Sequence, residues 1–308
     1  MTALQVYGPE DFVRTFNATG AERDLVAAEA ARYDFRYRRL SREERDAVIL
    51  AILEKLEGFT KVGPHRNDIW ESCWSGARKA FRDAEGNLAA LDPVFMAAHP
   101  VVRLAGDFAR PEDSKFEVHW FRVMRRWLFG RYLTGAAKAM EFGCGSGFNL
   151  ATAAQMFPNL ELTGLDWSQS AVDLVDDIGE TQGFNLRGRR FDFFAPDDDV
   201  PVGPDTVALT FAALEQTGAR CTVFAEWLLK KRPRLVISME PVLEFYDPTS
   251  LVDHLAIRYH THREYLAGYE TWLRRQAEAG RIEIVAAFRP GFGSLYHEGY
   301  SVLVWRPL

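Results

Sequence analysis

Cysteine is scarce in this chain: Cys73, Cys144 and Cys221 are the only ones among 308 residues. Three scattered thiols make neither a disulfide framework nor a paired C-x-x-C metal site, and they fit a reducing compartment. Long apolar runs are also missing, since none approaches the ~20 residues needed to span a bilayer. The first ten residues carry no basic segment followed by an apolar one, so a soluble, cytoplasmic protein is expected. Positive charge is not in excess. With 37 basic against 43 acidic residues the net charge is −6, which lacks the basic field of a general nucleic-acid binder. The short clusters Arg36-Tyr37-Arg38-Arg39 and Arg187-Gly188-Arg189-Arg190 read as solvated faces. There is no internal repeat, no low-complexity segment and no G-x-x-x-x-G-K-S/T loop, which argues against a P-loop. What is present is ample apolar content, 47%, enough core for one large domain or two modest ones.

The most informative stretch runs from Lys138 to Asn149. A short apolar strand ends in Glu141, a glycine loop follows with Gly143, Gly145 and Gly147, and a helix begins near Phe148. A second strand, Leu160 to Asp166, ends in a carboxylate. Strand, glycine turn, helix, strand and terminal acid form a nucleotide-binding half-site. Glycines let the backbone approach a ligand where a Cβ would collide, and Asp166 is placed to accept from a ribose diol. The spacing is G-x-G-x-G, not the G-x-G-x-x-G of a dinucleotide loop. Cys144 fills a variable slot and reads as a small packed residue, since no partner base is evident.

The run Glu141-Phe142-Gly143-Cys144-Gly145-Ser146-Gly147 resembles motif I of the class I S-adenosylmethionine-dependent methyltransferases, and Gly164-Leu165-Asp166-Trp167-Ser168 resembles their ribose-binding second strand. The resemblance covers about Phe116 to Leu308. It implies a Rossmann-like, seven-stranded, mostly parallel α/β sheet whose last strand is antiparallel beside the fifth. It also implies S-adenosylmethionine as cofactor, held by Glu141, Gly143, Cys144, Gly145, Gly147, Asn149, Asp166 and Trp167. In that family an acid after the third strand meets the adenine amino group and apolar neighbours sandwich the ring; Asp192 and Phe193 match. Residues after the fourth strand lie near the transferred methyl, which points to Ala212 and Leu214. No N-P-P-Y follows, which lowers the case for base N-methylation.

Upstream, the first hundred or so residues read as mostly helical, with a helical segment over Asp24 to Leu40. Ser41-Arg42-Glu43-Glu44 is a capping box, and Val48, Ile49, Ile52, Leu53 and Leu56 follow at helical spacing. Asp68 to Phe81 predicts a helix with Trp70 and Trp74 on one face, and Phe116 to Leu133 another. Residues 1–115 are expected as a helical region able to cover a substrate, and 116–308 as the cofactor-binding domain. Trp120 and Trp127 are expected to line its inner side or to be core. From Lys138 strands and helices alternate: a helix capped by Ser168, a third strand to Phe194, a fourth over Thr206 to Leu214, a helix from Arg220, a fifth strand ending at Glu240, helical segments over Thr249 to Ala279, then Ile282 to Phe288 and Tyr300 to Trp305 as an antiparallel pair.

Candidate catalytic residues lie after the later strands. Glu215 orients cofactor or substrate, acts as a base, or caps the next helix. A buried Glu240 must be paired, with an arginine for example, or functional. His254, His260 and His262 invite a metal reading, but H-x5-H-x-H without a carboxylate partner is weak, so no metal is expected. His260 and Tyr259 instead suit a substrate wall able to take a hydroxyl proton. The leading expectation is methyl transfer to a small molecule, such as a hydroxyl of a sugar or secondary metabolite, with no nucleic-acid or membrane partner. A protein or peptide methyltransferase, a non-catalytic cofactor-binding sensor and a nicotinamide-dependent oxidoreductase are the alternatives.

Overall fold

The computed structural model describes residues 3–93, 95–96 and 98–308. Its centre is a seven-stranded sheet built from β1 (Lys138–Phe142), β2 (Glu161–Asp166), β3 (Leu186–Arg190), β4 (Thr206–Phe211), β5 (Leu235–Glu240), β6 (Ile282–Phe288) and β7 (Ser301–Pro307). The order is β6-β7-β5-β4-β1-β2-β3. β1 to β5 pair in parallel, and β7 lies antiparallel between β5 and β6. This is the seven-stranded, mostly parallel sheet with an antiparallel last strand beside the fifth that the sequence leads one to expect. β4 is buried at every position, so Thr206-Val207-Ala208-Leu209-Thr210-Phe211 reads as a nearly unbroken apolar run rather than an alternating one. The strand order reverses between β1 and β4, and a ligand crevice opens beyond the carboxyl ends at such a point.

The helical punctuation is as expected where local chemistry sets it. Ser41 accepts the Glu44 N–H while Glu44 accepts the Ser41 N–H, closing the capping box of helix Arg42–Lys55. Ser168 caps helix Gln169–Gln182 through the Ala171 N–H. Helices Cys221–Lys231, Leu251–Arg263 and Tyr269–Glu278 complete the crossovers.

The N-terminal region departs from the mostly helical expectation. The Asp24 to Leu40 segment divides into helix Ala21–Ala30 and strand Arg36–Arg39. That strand belongs to a five-stranded sheet ordered Leu4–Val6, Arg36–Arg39, Asp107–Pro111, Val102–Leu104, Phe292–Gly293. Only Tyr37 is buried in Arg36-Tyr37-Arg38-Arg39, too little alternation to signal a strand. Its arginines are paired rather than merely solvated: Arg38 meets Glu44 at 2.6 Å and 2.7 Å, and Arg36 meets Asp34 at 2.6 Å. Phe292–Gly293, from the link between β6 and β7, pairs with Val102–Leu104 and so stitches the two sheets together.

Helix Phe116–Tyr132 lies where these parts meet and is apolar around most of its girth, the pattern of a helix enclosed on all sides. Trp120 and Trp127 are therefore core residues, not pocket wall. Both are fully buried, Trp120 stacked on Phe292 at 4.1 Å and Trp127 on Phe16 at 4.9 Å. Each ring contributes roughly 2–3 kcal/mol by burial. Among the described residues, no helix is long and apolar enough to cross a membrane.

Candidate active site

β1 delivers Glu141 and Phe142 to the sheet's carboxyl edge, and the chain then turns through three left-handed glycines, Gly143 (φ 74°), Gly145 (φ 51°) and Gly147 (φ 70°). A Cβ at Gly143 would lie 2.3 Å from that of Ala213, and one at Gly145 would lie 2.7 Å from the Trp74 ring. The loop therefore needs glycine for conformation and for space. Gly147 caps helix Phe148–Met156. The Gly143 and Cys144 N–H groups donate to the Leu165 carbonyl at 2.7 Å and 3.1 Å, tying the loop to β2. Cys144 is buried, and burial raises its thiol well above the ordinary range, so it packs rather than reacts.

Asp166 stands opposite. Its Oδ2 accepts the Gly145 N–H at 3.0 Å and its Oδ1 the Ser168 N–H at 2.9 Å. Two of about four lone-pair sites are thus used, leaving the others for a ligand. Burial pushes its carboxyl up to about 6, against the pull of the backbone donors.

Two adjoining clefts meet at this loop. The first, about 490 Å³, is lined by Gly143, Asp166, Trp167, Phe193, Phe194, Ala212, Ala213, Gln216 and Thr217, with Trp70 and Trp74 across from them. The second, about 630 Å³, shares Trp70, Trp74, Gly143 and Ala212 and continues to Glu141, Cys144, Gly145, Asn149, Phe121, Phe211, Met239 and Tyr300. Apart from Glu141 and Asp166 no ionisable carboxylate, lysine or arginine lines either cleft among the described residues. Ala212 holds a left-handed backbone (φ 49°) at the end of β4. Strain of this kind, about 1–2 kcal/mol in a non-glycine residue, gathers at ligand sites.

Glu141 is buried at the back of the second cleft. Its Oε1 accepts the Asn149 side-chain amide at 2.7 Å, and Asn149 in turn accepts from Arg125 at 3.0 Å. Its Oε2 is buried without a partner among the described residues, and burial pushes the carboxyl up to about 8. An orphaned acceptor on a cleft wall suits a ligand donor. Among the described residues the Trp70 indole N–H is likewise without a partner.

The cover is helix Asn67–Asp83. Trp70 and Trp74 stack at 5.6 Å on one face of it. Glu71 fastens it beside the site, accepting Ser168 Oγ at 2.6 Å and the Ser170 N–H at 3.1 Å. Arg78 and Arg82 pair with Asp177 at 2.7 Å and 2.9 Å.

Other sequence candidates lie elsewhere. Asp192 is exposed and accepts the Phe194 N–H of its own turn at 2.8 Å; Phe193 and Phe194 line the first cleft but Asp192 does not. β3 ends at Arg190 rather than Phe194, which leaves Asp192 in the turn. Leu214 is buried in the core behind the cleft. Glu240 is fully buried and pairs with no arginine. It accepts the N–H groups of Ala213, Leu214 and Glu215 at 3.3, 3.1 and 3.3 Å, capping the turn after β4. Burial and the Glu215 charge push it up to about 8. Glu215, also buried, accepts the Gln216 amide at 2.9 Å, and burial pushes it up to about 7 despite that bond and the Arg263 and Arg66 charges. It is one residue from the cleft wall, which Gln216 forms.

His260 and Tyr259 line neither of the two clefts. His260 meets His297 Nδ1 at 3.1 Å through Nε2, and burial holds its pKa down at about 3. It lines a groove of about 990 Å³ with Tyr265, Gly63 and Arg220, which adjoins the first cleft at Phe194 and Thr217. Tyr259 is core, stacked on Tyr296 at 5.3 Å. No group of three or more His, Cys, Asp or Glu among the described residues is placed to hold a metal ion. Sequence reasoning missed Tyr300, Phe121, Phe211 and Met239 as wall residues; they look like ordinary core positions in the sequence. Behind Tyr300, whose hydroxyl donates to Glu117 at 2.8 Å, sits a buried carboxylate.

No protein-family model and no curated protein matches the sequence. Solved structures do match in shape. The (4+2)-cyclase SpnF is 13% identical, with 80% of this chain and 96% of that chain covered and a TM-score of 0.51. The neocarzinostatin-pathway O-methyltransferase NcsB1, solved with S-adenosylmethionine and 2-hydroxy-5-methyl naphthoic acid, is 17% identical over 63% of this chain, TM-score 0.41. This chain spans 58% of the length of NcsB1. The small RNA methyltransferase HEN1 is 17% identical over 61% of this chain and 25% of its own, TM-score 0.44. At these identities the likeness is one of fold.

Proposed function

We propose that the chain binds S-adenosylmethionine across the two clefts and transfers its methyl group to a small, largely apolar acceptor. The observation that carries this reading is Asp166, buried at the end of β2 with free lone pairs, facing a loop of three left-handed glycines. Asp166 would accept the ribose hydroxyls, while Trp167 and Phe193 enclose the base. Glu141 Oε2 would accept from the amino group of the methionine portion. When bound, S-adenosylmethionine supplies a methyl group already activated by its sulfonium charge. Trp70 and Trp74 present aromatic faces that suit a cation and exclude water.

The acceptor would occupy the remainder of the second cleft, against Phe121, Phe211, Met239 and Tyr300. Such walls favour an apolar or planar molecule over a sugar or a charged peptide. For a hydroxyl acceptor, Tyr300 with Glu117 behind it is the ionisable pair on that wall. Tyr300 would orient the hydroxyl and relay its proton: as the methyl moves from sulfur to oxygen, the acceptor's proton would pass to the Tyr300 oxygen while the Tyr300 proton passes along its hydrogen bond to Glu117. Residues 1–115 would supply the cover and 116–308 the cofactor-binding unit. With its three cysteines as free thiols the protein would work in the cytoplasm.

The test is incubation with methyl-labelled S-adenosylmethionine and a cell extract, beside calorimetric titration of S-adenosylmethionine and NAD. Cofactor-specific binding with label in the small-molecule fraction is expected. Label on protein would point to a peptide acceptor, and binding without transfer to any extract would favour a sensor. Absence of S-adenosylmethionine binding would sink the reading.

A further inference from the structure

A further cavity, about 750 Å³, opens between helices Ala21–Ala30, Phe116–Tyr132 and Phe148–Met156 and the turn Leu88–Leu91. Its walls are charged where those of the two clefts are apolar. Arg32, Arg122, Arg125 and Arg126 line it with Glu29 and Asp92, leaving two positive charges in excess. The carboxylates are already engaged. Asp92 takes Arg122 at 2.6 Å and 2.8 Å, and Glu29 takes Arg32 and the Tyr33 hydroxyl, each at 2.9 Å, with Arg126 Nε 3.3 Å away.

Among the described residues no carboxylate hydrogen-bonds to Arg125, although Asp92 and Glu141 lie near enough to attract it. It is 4% exposed, its guanidinium lies 3.9 Å from the Phe148 ring centroid, and Nη1 donates to the Phe148 carbonyl at 3.2 Å and to Asn149 Oδ1 at 3.0 Å. Its Nε is buried without an acceptor. A buried guanidinium that no carboxylate contacts directly is costly, and an N–H left unsatisfied adds to that cost. Burial and the neighbouring Arg122 push its pKa down to about 9, so it stays charged at neutral pH.

We propose that this cavity binds a phosphate group, as the free anion or as a phosphomonoester. Guanidinium forks match the tetrahedral oxygens of phosphate, and a dianion offsets the two excess charges. The cavity is also coupled to the candidate active site. Phe148 is shared with the second cleft, and two hydrogen bonds, Arg125 to Asn149 and Asn149 to Glu141, lead from one to the other.

Titration calorimetry of the full chain with inorganic phosphate and with phenyl phosphate, at matched ionic strength and without S-adenosylmethionine, tests this separately from the cofactor reading. One saturable site is expected. Tighter binding of phenyl phosphate would identify a phosphomonoester, and equal or tighter binding of the inorganic ion would identify free phosphate. Arg126→Gln, and Arg122→Lys, which keeps a charge beside Asp92, should each weaken binding about tenfold or more. Folding of both is checked by circular dichroism. Non-saturable heats with the native protein, or unchanged affinity in both folded variants, would overturn the proposal.

Discussion

Asp166→Asn separates the two tasks of the carboxylate that faces the glycine loop. In the native protein both oxygens accept backbone N–H groups, from Ser168 at 2.9 Å and Gly145 at 3.0 Å. Asparagine keeps the shape and one carbonyl oxygen, but it sets an NH₂ group against one of those donors. That mismatch costs about 1–3 kcal/mol. Relief of a buried charge opposes it. The rise of the carboxyl from the ordinary 3.8 to about 6 corresponds to about 3 kcal/mol of disfavoured ionisation at neutral pH. The two effects nearly offset, so folding stability should change by no more than about 2 kcal/mol. Cofactor binding has no such compensation. A hydrogen bond from a ribose hydroxyl to an ionised carboxylate is worth about 1.5–3 kcal/mol, or about 10- to 150-fold in affinity.

Calorimetric titration with S-adenosylmethionine from about pH 5 to about pH 8 reads this out. The native protein should gain affinity as pH rises towards about 6 and level off above it, because only the ionised carboxylate accepts both hydroxyls. The asparagine variant should be weaker and flat over the same range. A folded variant that binds as well as the native protein, or a native profile without a step, would refute the assignment of the ribose to Asp166.

Gly145→Ala places a methyl 2.7 Å from the Trp74 ring in a left-handed backbone; it should cost about 1–3 kcal/mol in urea unfolding, with only the steric part recovered by adding Trp74→Ala. Stability should fall as pH rises. The carboxyls of Glu215 and of Glu141 and Glu240 are pushed up to about 7 and about 8, so their contribution is complete below the ordinary carboxylate range and is lost as pH passes through those values; the urea midpoint should be higher at about pH 5.5 than at about pH 8.5. A midpoint that rises over this interval would contradict the burial argument. Arg289→Met strands two buried carboxylates, Asp253 at 2.6 Å and Glu298 at 2.5 Å, and should cost about 3–5 kcal/mol in a thermal or urea melt, with Arg289→Lys milder.

The sequence by itself determined the parts whose chemistry is local. Three left-handed turns require glycine, a cap requires Ser41 or Ser168, and buried parallel strands require continuous apolar runs, so the loop, Asp166, the helix starts and the alternation of strand and helix were legible. Tertiary structure alone decided what depends on partners far along the chain. Arg36–Arg39 is a strand because Asp107–Pro111 lies beside it, and its own alternation is too weak to say so. Glu240 serves three N–H groups about 25 residues upstream, not an arginine. His260 meets His297 and leaves the cleft wall to Tyr300 and Phe211, which only the folding of β7 and β4 against the glycine loop brings together. The arginine cavity is likewise invisible in sequence, because three of its guanidiniums come from helix Phe116–Tyr132 and the fourth, Arg32, from the turn after helix Ala21–Ala30, which meet only in the finished fold. Periodicity reports that a face is buried, but only the partner that covers it decides whether that face becomes core or pocket.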